Sequence, residues 1–133
     1  MRYYVKWVDK TVAYMDYDEE RDLWGMEILH PHLFNGPCPK VFLTDKQVRW
    51  WIEKRLVPAY RSDYRKFAEG YGVNIDEPDS RMKLFFATRG TMCTDLNWVA
   101  FSEDESFRVS PLYEFGILED VPREEWEPYY NPN

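Results

Sequence analysis

The nine residues "GTMCTDLNW", Gly90 to Trp98, decide the fold because they join an apolar helical stretch to an apolar strand-like one. Upstream, "DSRMKLFFATRG" predicts a helix with Asp79 or Ser80 as N-cap and Met82, Phe85 and Phe86 turned inward. Gly90 fits the C′ position, where the left-handed backbone of a helix end suits a glycine. Thr94 or Asp95 can cap the tight passage that follows, and "NWVAF" after it has strand character. A reactive loop would instead use Cys93, Thr94 and Asp95, and would need a base beside them.

Working backward, "LTDKQVRWWIEKRLVP" carries Thr44 and Gln47 at capping-box spacing, so a helix starts there. Val48, Trp51, Ile52, Arg55 and Leu56 share one face at helical spacing, Trp50 points nearly opposite, and Pro58 stops the helix. A second helix from Ser62 has Tyr64, Phe67, Ala68 and Tyr71 as its apolar stripe and Gly70 or Gly72 to end it. The first thirty residues read as a β-meander. "RYYVKWV" and "TVAYMDY" flank a short polar connection at Asp9 and Lys10, and "DEERD" leads into "LWGMEIL", with Gly25 as a candidate bulge. "HPHLFNGPCPK" reads as loop. The fold class is therefore α+β: an N-terminal antiparallel β-meander packed with three short helices, a late strand and an acidic tail. Residues 1–120 form one domain in this reading and residues 121–133 the tail.

The chain has 133 residues, enough for one domain with a real core, and its aromatic content of 18% supplies core material. No apolar run approaches a membrane span and the N-terminus lacks a secretory h-region, so a cytoplasmic protein with no membrane partner is expected. Cys38 and Cys93 belong to no C-x-x-C pair and read as thiols in a reducing compartment, a disulfide between them being left open. The net charge of −7 is unevenly spread. Residues 40–69 hold 8 basic and 4 acidic side chains, whereas residues 103–133 hold 2 and 9. Such a balance repels nucleic acid at long range and marks the tail as a solvating or partner-binding segment.

Candidate sites follow from these patterns. His30, His32 and Cys38 do not have zinc-site spacing, so no metal and no cofactor is expected. Nothing in the sequence brings a histidine to Cys93, and no glycine-rich phosphate loop occurs, so no enzyme is expected. Arg55 lies on the inward face of its helix and requires a carboxylate, for which Asp95 is the candidate. The reading is a clamp in which Arg55 or Arg61 holds Asp95 and joins the helical hairpin to the later loop. A basic strip of Lys46, Arg49, Lys54, Arg65 and Lys66 beside Trp50 could bind phosphates and stack a base, although Asp45, Glu53, Asp63 and Glu69 dilute it. In the tail, Trp126, Tyr129 and Tyr130 supply aromatic anchors for a protein interface, with Glu124, Glu125 and Glu127 as a complementary field.

Two stretches carry a family resemblance. "WIEKRLVPAYR" resembles a W-x-x-x-R-x-x-P-x-x-R pattern through Trp51, Arg55, Pro58 and Arg61. "GTMCTDLNW" resembles G-L-S-L-S-D-x-Y-W through Gly90, Thr94, Asp95 and Trp98, with Met92 and Asn97 as departures from its Ser and Tyr. Both patterns occur in this order in the N-terminal, non-kinase region of HipA-type kinase-like proteins of Gram-positive bacteria. The resemblance spans about Tyr3 to Phe107 and implies a free-standing relative of that leader region, with no phosphotransfer of its own. It also implies that "GTMCTDLNW" is a fold device, with Trp98 as a buried anchor that sets Asp95 against the arginines. The expected function is a non-enzymatic small binding protein that regulates or inhibits a larger protein partner, in a toxin–antitoxin or phage–host defence context. The alternatives are an acidic, nucleic-acid-mimicking inhibitor of a defence nuclease and a weak single-stranded nucleic-acid binder.

Overall fold

A computed structural model of the protein describes residues 1–36, 41–92, 94–114 and 124. Alternation of inward apolar and outward polar side chains produces three long strands: β1 (Arg2–Trp7), β2 (Lys10–Asp18) and β3 (Leu23–Ile28). They pair antiparallel in sequence order, with a two-residue strand β4 (Phe42–Leu43) beyond β3 and β5 (Asn97–Ala100) beside β1. The sheet order is β4-β3-β2-β1-β5, and the fold class is α+β with an antiparallel meander.

Three helices cover the inner face. α1 (Asp45–Lys54) begins where the Thr44 N–H donates to Gln47 Oε1 at 3.0 Å. Its Val48, Trp51 and Ile52 are buried, and it ends at Lys54, ahead of Pro58. α2 (Tyr64–Gly70) buries Tyr64 and Ala68, and α3 (Ser80–Ala87), with Asp79 as N-cap, buries Leu84 and Phe85. These side chains meet Val5, Met15, Met26, Ile28 and Val99 of the sheet in the main core. A fully buried side chain such as Phe85 contributes roughly 1.5–3 kcal/mol relative to exposure.

A second, smaller core lies on the opposite face at the β1–β5 end. Trp98 and Ala100 point there, and Val8, Leu96, Phe107 and Leu112 close over them. The sequence beyond Phe107 shows little periodicity, yet it forms a 3-10 turn (Phe107–Val109) and a short helix α4 (Pro111–Glu114). Phe107 and Leu112 hold this segment down as isolated apolar anchors, a spacing too sparse to register as a helical stripe.

Three sequence expectations are corrected. The β1–β2 turn is Val8–Asp9, with Lys10 already in β2; Val8 adopts φ +53° because its buried side chain sits in the second core. The bulge is at Val12, facing the Val5–Lys6 step of β1, while Gly25 pairs regularly with Asp16. The Val12 carbonyl accepts from Leu29 and His30, at 2.8 and 3.1 Å, so the extra residue serves the chain beyond β3. At the end of α3 it is Arg89, at φ +55°, that takes the C′ position, and Gly90 follows at φ +62°. Gly90 N–H reaches the Phe85 carbonyl at 2.9 Å and Arg89 N–H the Phe86 carbonyl at 3.2 Å, the two bonds of a Schellman end.

Candidate functional site

The clamp residues come from two distant segments. α1 delivers Arg55 at its C-cap, on the inward face set by Val48, Trp51 and Ile52. Asp95 is presented by the loop before β5, where its Oδ1 accepts the Asn97 N–H at 2.9 Å in an Asx turn. Arg55 Nη2 and Nη1 grip the two Asp95 oxygens at 2.7 and 2.9 Å. Arg55 also donates through Nε to the Gly90 carbonyl and through Nη2 to the Asn97 carbonyl at 2.9 Å. The guanidinium is thereby committed to structure.

Asparagines complete this network. Asn97, fully buried, donates to the Leu33 carbonyl at 2.9 Å and accepts the Asn35 N–H at 2.7 Å. Asn35 donates to Asp95 at 2.7 Å, and its carbonyl accepts the Trp51 indole N–H at 2.8 Å. Both were missed by sequence reasoning. The available signal was a lone amide opening the strand-like "NWVAF", since a buried amide must find partners. Trp98 is buried and donates Nε1–H to the Val8 carbonyl at 2.6 Å, which fixes the strained Val8 turn. Arg61 stands apart from the clamp: it pairs with Asp63 at 2.5 Å on the surface, because the chain has already left α1.

The basic strip is dispersed in the same way. Arg49 is held by Asp45 at 3.0 Å and by Asp22 at 3.1 Å, and Arg65 by Asp76 at 3.2 Å. Lys46 and Lys66 are exposed. Trp50 points outward, 51% exposed, with Lys54 Nζ 5.5 Å from its ring centre. His30 and His32 face each other at 6.1 Å, and among the described residues no group of three His, Cys, Asp or Glu side chains could hold a metal. Cys38 and Cys93 lie outside the described residues, as do Glu125, Trp126, Glu127, Tyr129 and Tyr130 of the tail. Glu124 is exposed. Among the described residues no helix is long and apolar enough to cross a membrane.

What the fold assembles, and periodicity alone did not announce, is an aromatic cleft of about 610 Å³. Tyr3 of β1, Tyr17 of β2 and Trp24 of β3 alternate onto the inner sheet face, and Phe86 of α3 meets them. The Tyr17 and Trp24 rings lie 4.6 Å apart, and those of Tyr3 and Phe86 4.7 Å. Glu19 and Asp22 of the β2–β3 turn, Asp79 and Arg81 at the start of α3, and Arg49 of α1 border the opening.

Electrostatics at this rim are largely settled internally. The Tyr17 hydroxyl donates to Asp22 at 2.6 Å, which pushes its own pKa up. The same bond, with Arg49, holds the Asp22 carboxyl below the usual range. Asp45 is held down by the Trp24 N–H, which it accepts at 2.8 Å, and by Arg49. Arg81 donates to the Val57 carbonyl at 2.7 Å and pairs with Glu53. Burial, aided by the negative Glu19, pushes the Tyr3 hydroxyl up. The chemistry on offer is recognition: ring faces to cover a flat or alkyl group, and charges at the mouth to orient it.

A second cleft of about 620 Å³ lies between α2, the end of α3 and the 3-10 turn, with Phe67, Tyr71 and Val109 in its wall. Glu114 of α4 is also on its edge. Compared with protein-family models, curated proteins and solved structures, the chain matches none. The likeness to the leader region of HipA-type proteins stays with its two motifs.

Proposed function

We propose that this chain is a non-enzymatic binding protein of the cytoplasm that regulates or inhibits a larger protein partner, and that the aromatic cleft is one of its contacts. The observation supporting this reading is the cleft itself, an opening onto Tyr3, Tyr17, Trp24 and Phe86 with a charged border. Aromatic anchors inside a polar rim are the composition that protein interfaces favour. The clamp does not compete for this role, since its guanidinium is spent on Asp95 and two backbone carbonyls. In this proposal the acidic, aromatic tail of residues 121–133 is a second contact. The two-motif resemblance is the ground for setting the partner in a toxin–antitoxin or phage-defence context.

The test is capture of partners from native lysate on wild-type protein and on Tyr17→Ala, which opens the aromatic wall, with melting curves to confirm that both fold. A protein retained by wild type after nuclease treatment, and lost by Tyr17→Ala, supports the reading. Recovery only of nucleic acid overturns it in favour of Trp50 and Lys54. A complex indifferent to Tyr17→Ala but dissolving steeply with salt favours the nucleic-acid mimic.

A further inference from the structure

Cations in this protein are repeatedly laid against aromatic rings. The Arg89 guanidinium sits 3.6 Å from the Phe101 ring centre, Arg2 is 4.3 Å from Tyr14, and Arg55 is 5.0 Å from Trp51. Among the described residues, no such cation covers Tyr3, Tyr17, Trp24 or Phe86, the four rings that meet in the cleft. The three cations at the border do not fill the gap, since Arg49 is gripped by Asp45 and Asp22, Arg81 by Glu53 and the Val57 carbonyl, and the Met1 ammonium donates to the Tyr17 carbonyl at 2.9 Å.

The acids at the border are unevenly matched. Asp22 is taken by Tyr17 and Arg49, and Asp79 faces Lys83 at 3.4 Å, a lysine that also pairs with Glu77. Glu19 is exposed and forms no ion pair among the described residues. Its field reaches the cleft, because it contributes to the upward shift of the Tyr3 hydroxyl. Trp24 is buried beneath its neighbours, whereas Tyr3 and Phe86 are half-buried, and their open faces beside a carboxylate with no ion pair among the described residues attract a cation from outside; a guanidinium can stack on these rings while its edge meets the carboxylate.

We propose that the cleft receives an arginine side chain of a protein partner, its guanidinium stacked on the half-buried Tyr3 and Phe86 rings above Trp24 and paired with Glu19. This rests on the reading of the cleft as a protein contact and names the group it takes. The experiment is a titration of the full chain, followed by the indole N–H resonance of Trp24, with three capped tripeptides: Gly-Arg-Gly, Gly-Lys-Gly and Gly-Glu-Gly. Saturable shifts with the arginine peptide are expected, weaker binding with lysine, and none with glutamate. Glu19→Lys, a surface change, is expected to weaken arginine binding about tenfold. No shift with the arginine peptide, equal response to the glutamate or lysine peptide, or indifference to Glu19→Lys overturns the proposal. Should the peptides fail while Tyr17→Ala still loses a protein from lysate, the arginine assignment falls and the binding reading stands.

Discussion

Arg55 and Asp95 meet as a two-pronged pair whose side chains are only 2% and 12% exposed, joining the end of α1 to the loop before β5. Removing one partner strands the other charge in a buried site, so Arg55→Ala or Asp95→Ala should cost about 3–5 kcal/mol in urea unfolding. Arg55→Lys should recover little, because an ammonium cannot span both Asp95 oxygens and reach the Gly90 and Asn97 carbonyls together. Rescue to wild-type stability by lysine would contradict this account.

Two glycines should respond in opposite ways to alanine. Gly90 has φ +62° and a Cβ there would lie 2.8 Å from the Phe85 ring, so Gly90→Ala should lose about 1–3 kcal/mol. At Gly25 an added Cβ meets nothing within 4 Å, and Gly25→Ala should be neutral or stabilising by less than about 1 kcal/mol. Paired thermal melts distinguish the two positions.

Acid should act on the rim of the cleft. Asp22 and Asp45 have folded pKa values below the usual range, so the stability they contribute is present above the ordinary carboxylate value of about 3.9 and is lost as pH falls through the lowered values. The double variant Asp22→Asn with Asp45→Asn should flatten this part of the acid unfolding curve. Asp9 has the reverse sign. Burial raises its pKa, so the folded state holds the Asp9 proton more tightly and the contribution of Asp9 falls as pH climbs toward the raised value. Asp9→Asn should therefore gain on wild type as pH rises through that range, while its Oδ1 can still accept the Phe107 N–H as Asp9 does.

Lys6 is 2% exposed and donates to the carbonyls of Glu103 and Glu105 at 2.5 and 2.7 Å, tying the segment after β5 across the second core. Lys6→Ala leaves both carbonyls without that donor. Hydrogen exchange at the Phe107 amide should accelerate, with a stability loss of about 1–3 kcal/mol. Unchanged exchange there would mean that Trp98 and Phe107 hold the segment unaided.

The elements with sustained periodicity are legible in the sequence: the meander strands from their Tyr, Val and Trp alternation, and α1 from its Thr44–Gln47 start and its Val48–Trp51–Ile52 stripe. An arginine on that stripe was enough to require a carboxylate partner, since a lone buried guanidinium is too costly to keep. The sequence could not choose between Arg55 and Arg61, and the end of α1 did: Arg55 is the C-cap and still faces inward, while Arg61 lies beyond Pro58 beside Asp63. Asn35 and Asn97 were hidden because they bond each other across 62 residues, and such pairing has no local signature. The same holds for the cleft. Tyr3, Tyr17, Trp24 and Phe86 read separately as core material, and only pairing of the strands and docking of α3 left their rings together at an open edge. Local propensity and period are properties of neighbours along the chain; which faces stay uncovered is set by packing between elements distant in sequence, and that belongs to the tertiary structure alone.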